Sequence, residues 1–124
     1  MKTIILAGGL GSRMREETEY KPKPMVEIGE RPILWHIIKN YNSYNFNEFI
    51  VCMGYKKESI IEYFLNFNSL NNDLKVNLGE KNKVELLGFD NDLQNTDIIL
   101  SDTGLNSNTG ERIRRIKKYI PEGE

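Results

Sequence analysis

Residues 3–13 read TIILAGGLGSR, an apolar run that leads directly into a glycine-rich segment. The apolar part predicts a buried strand that covers about residues 2–7. The glycines that follow, Gly8, Gly9 and Gly11, let backbone N–H groups come close to a bulky anion, because no Cβ stands in the way. This stretch therefore predicts a polyphosphate site at the end of the first strand.

Two cationic side chains accompany this segment. Arg13 supplies a planar guanidinium and Lys23 a point charge, and both groups suit phosphate oxygens. Lys23 lies in the segment KPKPM at 21–25, whose prolines hold their neighbours extended and so fix the direction of the lysine. The glycines alone fit a tight turn between a strand and a helix equally well, and the two cations favour the phosphate site.

Two better-known glycine loops do not match. The dinucleotide fingerprint requires a third glycine where this chain has Met14, counting from Gly9. The P-loop requires a Gly-Lys pair, and none follows these glycines. The remaining pattern is G-G-x-G-[ST]-R, which joins a strand, a short loop and an arginine.

Composition and charge restrict the class of protein. A chain of 124 residues suffices for one modest domain with one core. The net charge of −1 gives no general attraction to nucleic acid or to an acidic membrane, and no apolar run reaches membrane-spanning length. The single cysteine, Cys52, predicts a buried thiol in a reducing compartment. Because the N-terminus also lacks a signal-peptide layout, we expect a cytoplasmic protein.

The spacing of apolar residues predicts alternating strands and helices. The first half reads strand, helix, strand, helix, an order that implies a parallel sheet. The chain closes with a proline-containing turn after a helix, where the alternation calls for another strand, so we expect the sequence to be incomplete at its C-terminal side. The expected elements are strands near 2–7, 49–53, 74–78, 84–89 and 97–100 and helices near 32–41, 59–67 and 109–119.

Helical spacing also predicts which side chains enter the core. The basic face of the last helix, from Arg112 to Lys118, is typical of a solvated surface. His36, the only histidine, is expected to pack or to lie on the surface rather than to act in catalysis. The helical residues expected in the core are Leu34, Ile37, Ile38, Tyr41, Ile60, Ile61, Phe64, Leu65, Ile113, Ile116 and Ile120.

Several segments together resemble a known enzyme family. They are GGLGSR at 8–13, KPKPMVEIG at 21–29, PILWHI at 32–37, GYK at 54–56, DTG at 102–104 and TGER at 109–112. The chain resembles the sugar-1-phosphate nucleotidylyltransferases, and within them it is most similar to the glucose-1-phosphate cytidylyltransferases. The resemblance covers nearly the whole chain but about the first half of a family member.

The resemblance implies a fold. We expect an α/β Rossmann-like, mostly parallel sheet of the nucleotide-diphospho-sugar transferase type, incomplete at the C-terminal side. Residues 1–124 would form one nucleotidyltransferase domain, namely its N-terminal nucleotide-binding portion. The complete enzyme is expected to be a homo-oligomer.

The resemblance also implies a reaction. In this family an oxygen of the sugar phosphate attacks the α-phosphorus of the nucleotide and pyrophosphate leaves, so CTP and glucose 1-phosphate would give CDP-glucose. The substrate brings its own nucleophile, and the protein aligns the reactants and neutralises charge. By resemblance, the catalytic residues are Arg13, which neutralises the leaving pyrophosphate, and Lys23, which lies between the two reacting phosphates.

The nucleotide contacts follow from the same resemblance. Ser107 and Arg112 fall where cytidylyl members contact the base, and Glu80 is a weaker candidate. Mg²⁺ is expected in the complete enzyme, but no residue of this chain is assigned as its ligand, because the family's metal-binding aspartate falls beyond Glu124. The residues implied to bind the nucleotide are Leu6, Ala7, Gly8, Gly9, Leu10, Gly11, Ser12, Arg13, Lys23, Ser107 and Arg112.

Position 111 departs from the family. Glu111 stands where the family usually has a glycine, and its carboxylate is expected to repel phosphate or to crowd the base. Two alternatives stay open: a nucleotidylyltransferase that uses UTP, dTTP or GTP, against which only the segment 107–112 argues, or a non-catalytic module that binds a nucleotide through the same loop.

Overall fold

The computed structural model describes residues 2–8, 22–79, 83–87, 93, 95–104 and 108–121. Within these ranges the strands are β1 (Thr3–Ala7), β2 (Glu27–Ile28), β3 (Arg31–Pro32), β4 (Glu48–Met53), β5 (Asp73–Asn77), β6 (Lys83–Leu87) and β7 (Asp97–Asp102). The helices are α1 (Ile33–Asn42), α2 (Lys57–Leu65), α3 (Phe67–Leu70) and α4 (Thr109–Ile116), with short 3₁₀ helices at Lys23–Met25 and Lys117–Tyr119.

A three-stranded parallel sheet forms the centre, in the order β1-β4-β7. Thr3 lies opposite Phe49, and Phe49 lies opposite Ile98, so all three strands run in the same direction and end at the same edge. The parallel sheet predicted from the order of elements is confirmed. Connections between parallel strands need a crossover, and α1 and α2 occupy the crossovers.

Helices cover both faces of this sheet. Phe49, Val51 and Met53 on β4 pack in one apolar cluster with side chains of α1 and α2. The alternate residues of β4 point to the other face, where Cys52 packs with Ile116 of α4. The strand is therefore buried on both sides, which explains its continuous apolar sequence.

Most helical residues expected in the core are buried or partly buried, but three are exposed. Tyr41 is 42% exposed, Leu65 77% and Ile113 43%. The chain turns after Leu65 into α3, whose Phe67 takes the buried position. In α4 the face that meets the sheet carries Arg112 and Ile116, four residues apart, so Ile113 lies off this face.

Two antiparallel hairpins accompany the sheet. β2 and β3 are joined by Gly29 and Glu30, both with positive φ, as in the two-residue turns that match the twist of a hairpin. This hairpin was not predicted from the sequence. β5 pairs with β6 and confirms two of the short strands expected in the second half. No helix within the described ranges is long and apolar enough to cross a membrane.

Candidate functional site

The carboxyl ends of the three parallel strands meet at one place. Gly8 follows β1, Gly54 follows β4, and Thr103 follows β7. A Cβ added to Gly54 would lie 2.7 Å from the carbonyl oxygen of Gly104 and 3.1 Å from that of Gly8. In open α/β sheets ligands bind at this edge, so the packed strand ends mark the candidate site.

Arg112 links α4 to this edge. Its side chain is buried, with 7% of the residue exposed. Nη2 donates to the carbonyl oxygen of Gly8 at 3.0 Å, and Nη1 donates to Oγ1 of Thr103 at 3.2 Å. The prediction of a solvated basic face is therefore wrong for Arg112, because the strand ends provide acceptors for its guanidinium group.

The guanidinium group of Arg112 also explains the glycine that follows β1. A Cβ added to Gly8 would lie 1.6 Å from Nη1 of Arg112, which is far inside contact distance. Position 8 therefore needs a glycine to admit a buried arginine, whatever the following amides bind.

Thr103 is the junction between β4, β7 and α4. It is completely buried, and both its amide and its hydroxyl donate to the carbonyl oxygen of Met53, at 2.9 and 3.0 Å. With its hydrogen engaged in this way, the hydroxyl oxygen accepts from Arg112. Sequence reasoning missed Thr103 as a site residue, although it stands within the segment DTG that carried part of the family resemblance.

A second arginine of α4 reaches the same threonine. Nη1 of Arg115 donates to the carbonyl oxygen of Thr103 at 2.9 Å, and Nε donates to Oε1 of Glu111 at 3.1 Å. Arg114 also donates two hydrogen bonds to the carboxylate of Glu111, at 2.9 and 2.6 Å. The hydrogen bonds from Arg114 and then Arg115 lower the pKa of Glu111 to about 2.

The groups around Glu111 reduce the repulsion of phosphate that its carboxylate was expected to cause. Its position in the first turn of α4 favours a negative charge, and the side chain of Asn108 caps this turn by accepting from the Glu111 amide at 2.9 Å. Two guanidinium groups offset the carboxylate charge. This arrangement weakens the repulsion of phosphate expected at position 111.

An ion pair lies at the outer side of the same edge. Nζ of Lys57, in the first turn of α2, donates to Oδ2 of Asp102 at 2.7 Å, while Oδ1 of Asp102 accepts from the Gly104 amide at 3.0 Å. The hydrogen bond from Lys57 lowers the pKa of Asp102. This carboxylate therefore stabilises the turn after β7, at which Gly104 has a φ of +96°.

The other predicted site residues are placed as follows. Leu6 is 45% exposed and Ala7 is fully buried at the end of β1. Lys23 has an exposed side chain in the 3₁₀ helix, and buried Pro22 and Met25 anchor the backbone on either side of it. The predicted residues that lie outside the described ranges are Gly9, Leu10, Gly11, Ser12, Arg13, Glu80 and Ser107.

The remaining reactive side chains have structural roles. Cys52 is buried, and burial raises the pKa of its thiol, as expected for an inert cysteine. Nε2 of His36 lies 2.7 Å from the carbonyl oxygen of Ile28, and its ring packs edge-on against Trp35. Across the described part of the chain, no three His, Cys, Asp or Glu side chains converge as metal ligands.

Comparison with known proteins defines the class. Residues 2–93 match the nucleotidyl transferase family, and because this match covers most of the chain, the protein belongs to that family. The chain is 45% identical over its full length to glucose-1-phosphate cytidylyltransferase from Salmonella typhimurium strain LT2, of which it covers 47%. It is 43% identical over 97% of its length to a probable glucose-1-phosphate cytidylyltransferase from Bacillus subtilis strain 168, of which it covers 46%. The chain thus spans about half the length of these relatives.

Solved structures agree on the fold. A UDP-glucose pyrophosphorylase in complex with UDP-glucose superposes over 96% of this chain with a TM-score of 0.65 at 16% identity, and the alignment covers 41% of that protein. HddC from Yersinia pseudotuberculosis gives a TM-score of 0.62 at 26% identity, over 96% of this chain and 42% of its own. The nucleotide-diphospho-sugar transferase fold expected from the sequence is confirmed.

Proposed function

We propose that residues 1–124 are the nucleotide-binding portion of an enzyme that transfers a cytidylyl group from CTP to glucose 1-phosphate, giving CDP-glucose and pyrophosphate. The observation that carries this proposal is the identity of 43–45% to glucose-1-phosphate cytidylyltransferases along nearly the whole chain. The convergence of Gly8, Thr103 and Arg112 at the carboxyl edge of the sheet supports a nucleotide site at this edge.

The chain's own residues would bind and orient the nucleotide. The backbone amides from Gly8 to Ser12 hold the triphosphate, and Arg13 neutralises the pyrophosphate as it leaves. Lys23 stabilises charge between the α-phosphate and the sugar phosphate, and its exposed side chain on an anchored backbone suits this task. By the family resemblance, Ser107 and Arg112 would contact the base.

We propose three further properties for the complete enzyme, which concern its metal ion, its location and its assembly. In the complete enzyme Mg²⁺ would neutralise charge on the nucleotide phosphates. The enzyme acts in the cytoplasm, which suits the unpaired, buried Cys52. It assembles as a homo-oligomer.

Nucleotide titration tests the binding half of the proposal. Isothermal titration of this chain with CTP, UTP, dTTP and GTP is expected to show the highest affinity for CTP. Equal affinity for the four nucleotides would remove the claim of cytidylyl specificity. If a full-length protein that contains this chain binds CTP but shows no turnover, the result would favour a non-catalytic module.

Replacement of Lys23 tests the catalytic half. Lys23→Ala is expected to lower kcat by about 100-fold or more, as the loss of one preorganised charge-stabilising donor does elsewhere. The matched control is Lys75→Ala, which removes an exposed lysine from β5 and is expected to leave kcat unchanged. The measurement is pyrophosphate release in the full-length protein, and a near-normal rate for Lys23→Ala would contradict the assigned role.

A further inference from the structure

Arg115 has a contact that a solvated helix face does not explain. Its side chain is 46% exposed, yet Nη1 donates to the carbonyl oxygen of Thr103 at 2.9 Å. Thr103 is fully buried and immediately precedes Gly104, whose φ of +96° starts the chain's departure from β7. The guanidinium group of Arg115 therefore holds the backbone at the point where β7 leaves the sheet.

Glu111 fixes the direction of Arg115. The two residues are four apart in α4, so they lie on the same side of the helix, and Oε1 of Glu111 accepts from Nε of Arg115 at 3.1 Å. With Nε held by the carboxylate, Nη1 points to Thr103. A glycine at position 111, which the family resemblance leads one to expect, could not supply this carboxylate.

These contacts join those of Arg112 in one continuous chain. Arg115 holds the carbonyl of Thr103, the hydroxyl of Thr103 accepts from Arg112, and Arg112 donates to the carbonyl of Gly8. Gly8 is the first residue of the glycine segment. A hydrogen-bonded path thus runs from the first turn of α4 through the end of β7 to the end of β1.

We infer that Arg115, oriented by Glu111, is a positioning residue for the nucleotide site. It acts through Thr103, whose carbonyl oxygen it holds, and so keeps Arg112 and the carbonyl of Gly8 in place. This inference rests on the proposed function, because the site it positions is the CTP site. Without the Arg115 contact, Thr103 is held less firmly, so Arg112 and the carbonyl of Gly8 are less fixed in position. Loss of this contact therefore lowers the affinity for CTP and reduces the preference for CTP over UTP.

A pair of matched variants tests this role. Arg115→Met keeps the aliphatic stem and removes the donors to Thr103 and Glu111. Arg114→Met removes the other partner of Glu111 and is the control, since the described contacts of Arg114 are with Glu111 alone. Arg115→Lys keeps the charge and one donor group and is expected to restore part of the loss. Each variant is titrated with CTP and with UTP.

The expected results follow from the loss of the hydrogen bond that the charged guanidinium group of Arg115 donates to Thr103. Arg115→Met binds CTP roughly tenfold more weakly, and its CTP-to-UTP affinity ratio falls by about threefold or more. Arg114→Met stays within about twofold of the wild type in both quantities. Glu111→Gln leaves Arg115 in place but weakens its orientation, and it gives an intermediate loss. Wild-type affinity and ratio in Arg115→Met would overturn the inference.

Amide hydrogen exchange separates this inference from the proposed function. In Arg115→Met the Thr103 and Gly104 amides should exchange roughly three- to tenfold faster, with no change in Arg114→Met. If the wild type binds no nucleotide, the proposed function fails, and faster exchange at these two amides still supports the Arg115 contact. If the wild type prefers CTP and Arg115→Met changes neither exchange nor affinity, the positioning role alone is refuted.

Discussion

Replacing Gly8 by alanine is expected to destabilise the protein through one residue that lies 104 positions away. The new Cβ would lie 1.6 Å from Nη1, 2.3 Å from Cζ and 2.9 Å from Nη2 of Arg112. The three nearest heavy atoms all belong to this side chain, so the guanidinium group must leave its place. The backbone at Gly8 is not in the left-handed region, so strain at this residue adds little.

The magnitude follows from the contacts that Arg112 makes. Displacement breaks two hydrogen bonds from a charged donor, each worth about 1.5–3 kcal/mol, and the displaced group regains part of this from water. We therefore expect Gly8→Ala to lower the free energy of unfolding by about 3 kcal/mol. For a domain with a total stability of about 5–15 kcal/mol, this is a large fraction. At a urea m-value of about 2 kcal/mol/M, the midpoint shifts down by about 1.5 M.

A double-mutant cycle isolates the cause. Urea unfolding, followed by the fluorescence of the single tryptophan, Trp35, is measured for Gly8→Ala, Arg112→Ala and the double variant. If the clash with Arg112 is the cause, Gly8→Ala costs little in the Arg112→Ala background, and the coupling energy is about 2–3 kcal/mol. Additive costs would refute the reasoning.

Gly54→Ala provides the control for this cycle. Its new Cβ would meet the carbonyl oxygen of Gly104 at 2.7 Å and that of Gly8 at 3.1 Å, as well as Nη1 of Arg112 at 3.0 Å. Two of these three contacts are backbone, which cannot move as a flexible side chain does. The Arg112→Ala background should therefore leave Gly54→Ala destabilising while it rescues Gly8→Ala.

Three further predictions concern the same edge of the sheet. Thr103→Val removes the hydroxyl that accepts from Nη1 of Arg112 and should lower the free energy of unfolding by about 1–3 kcal/mol in urea titrations, whereas Thr103→Ser keeps the hydroxyl and should cost less. The pKa of the Glu111 carboxylate is lowered to about 2, so its contribution to stability is complete above the unfolded pKa of 4.5 and is lost as the pH falls toward 2. A midpoint near 4.5 for Glu111 in a carboxyl NMR titration would contradict this. Replacing Lys57 by alanine should raise the pKa of Asp102 toward its ordinary value in the same titration while leaving the urea midpoint nearly unchanged, because the pair is half-exposed.

Local sequence patterns were sufficient for the main elements. The apolar run before the glycines gave β1, the run through Phe49 gave β4, and their alternation with helical stripes gave a parallel sheet. These predictions succeed because buried strands and helix stripes depend on the spacing of neighbouring residues, which the sequence displays directly. The hairpin at β2 and β3 was missed because its strands have only two residues each, too few to show a period.

The sequence by itself determined that Gly8 opens a glycine-rich segment after a buried strand, and the family resemblance led us to expect Arg112 near a nucleotide. Tertiary structure alone decided that the two touch, that the guanidinium group is buried at the strand ends, and that Thr103 joins them. It also decided that the carboxylate of Glu111 is held by arginines of its own helix. The physical reason is that helical spacing tells which side chains share a face, whereas the face that meets the sheet depends on how α4 docks against strands distant in the chain.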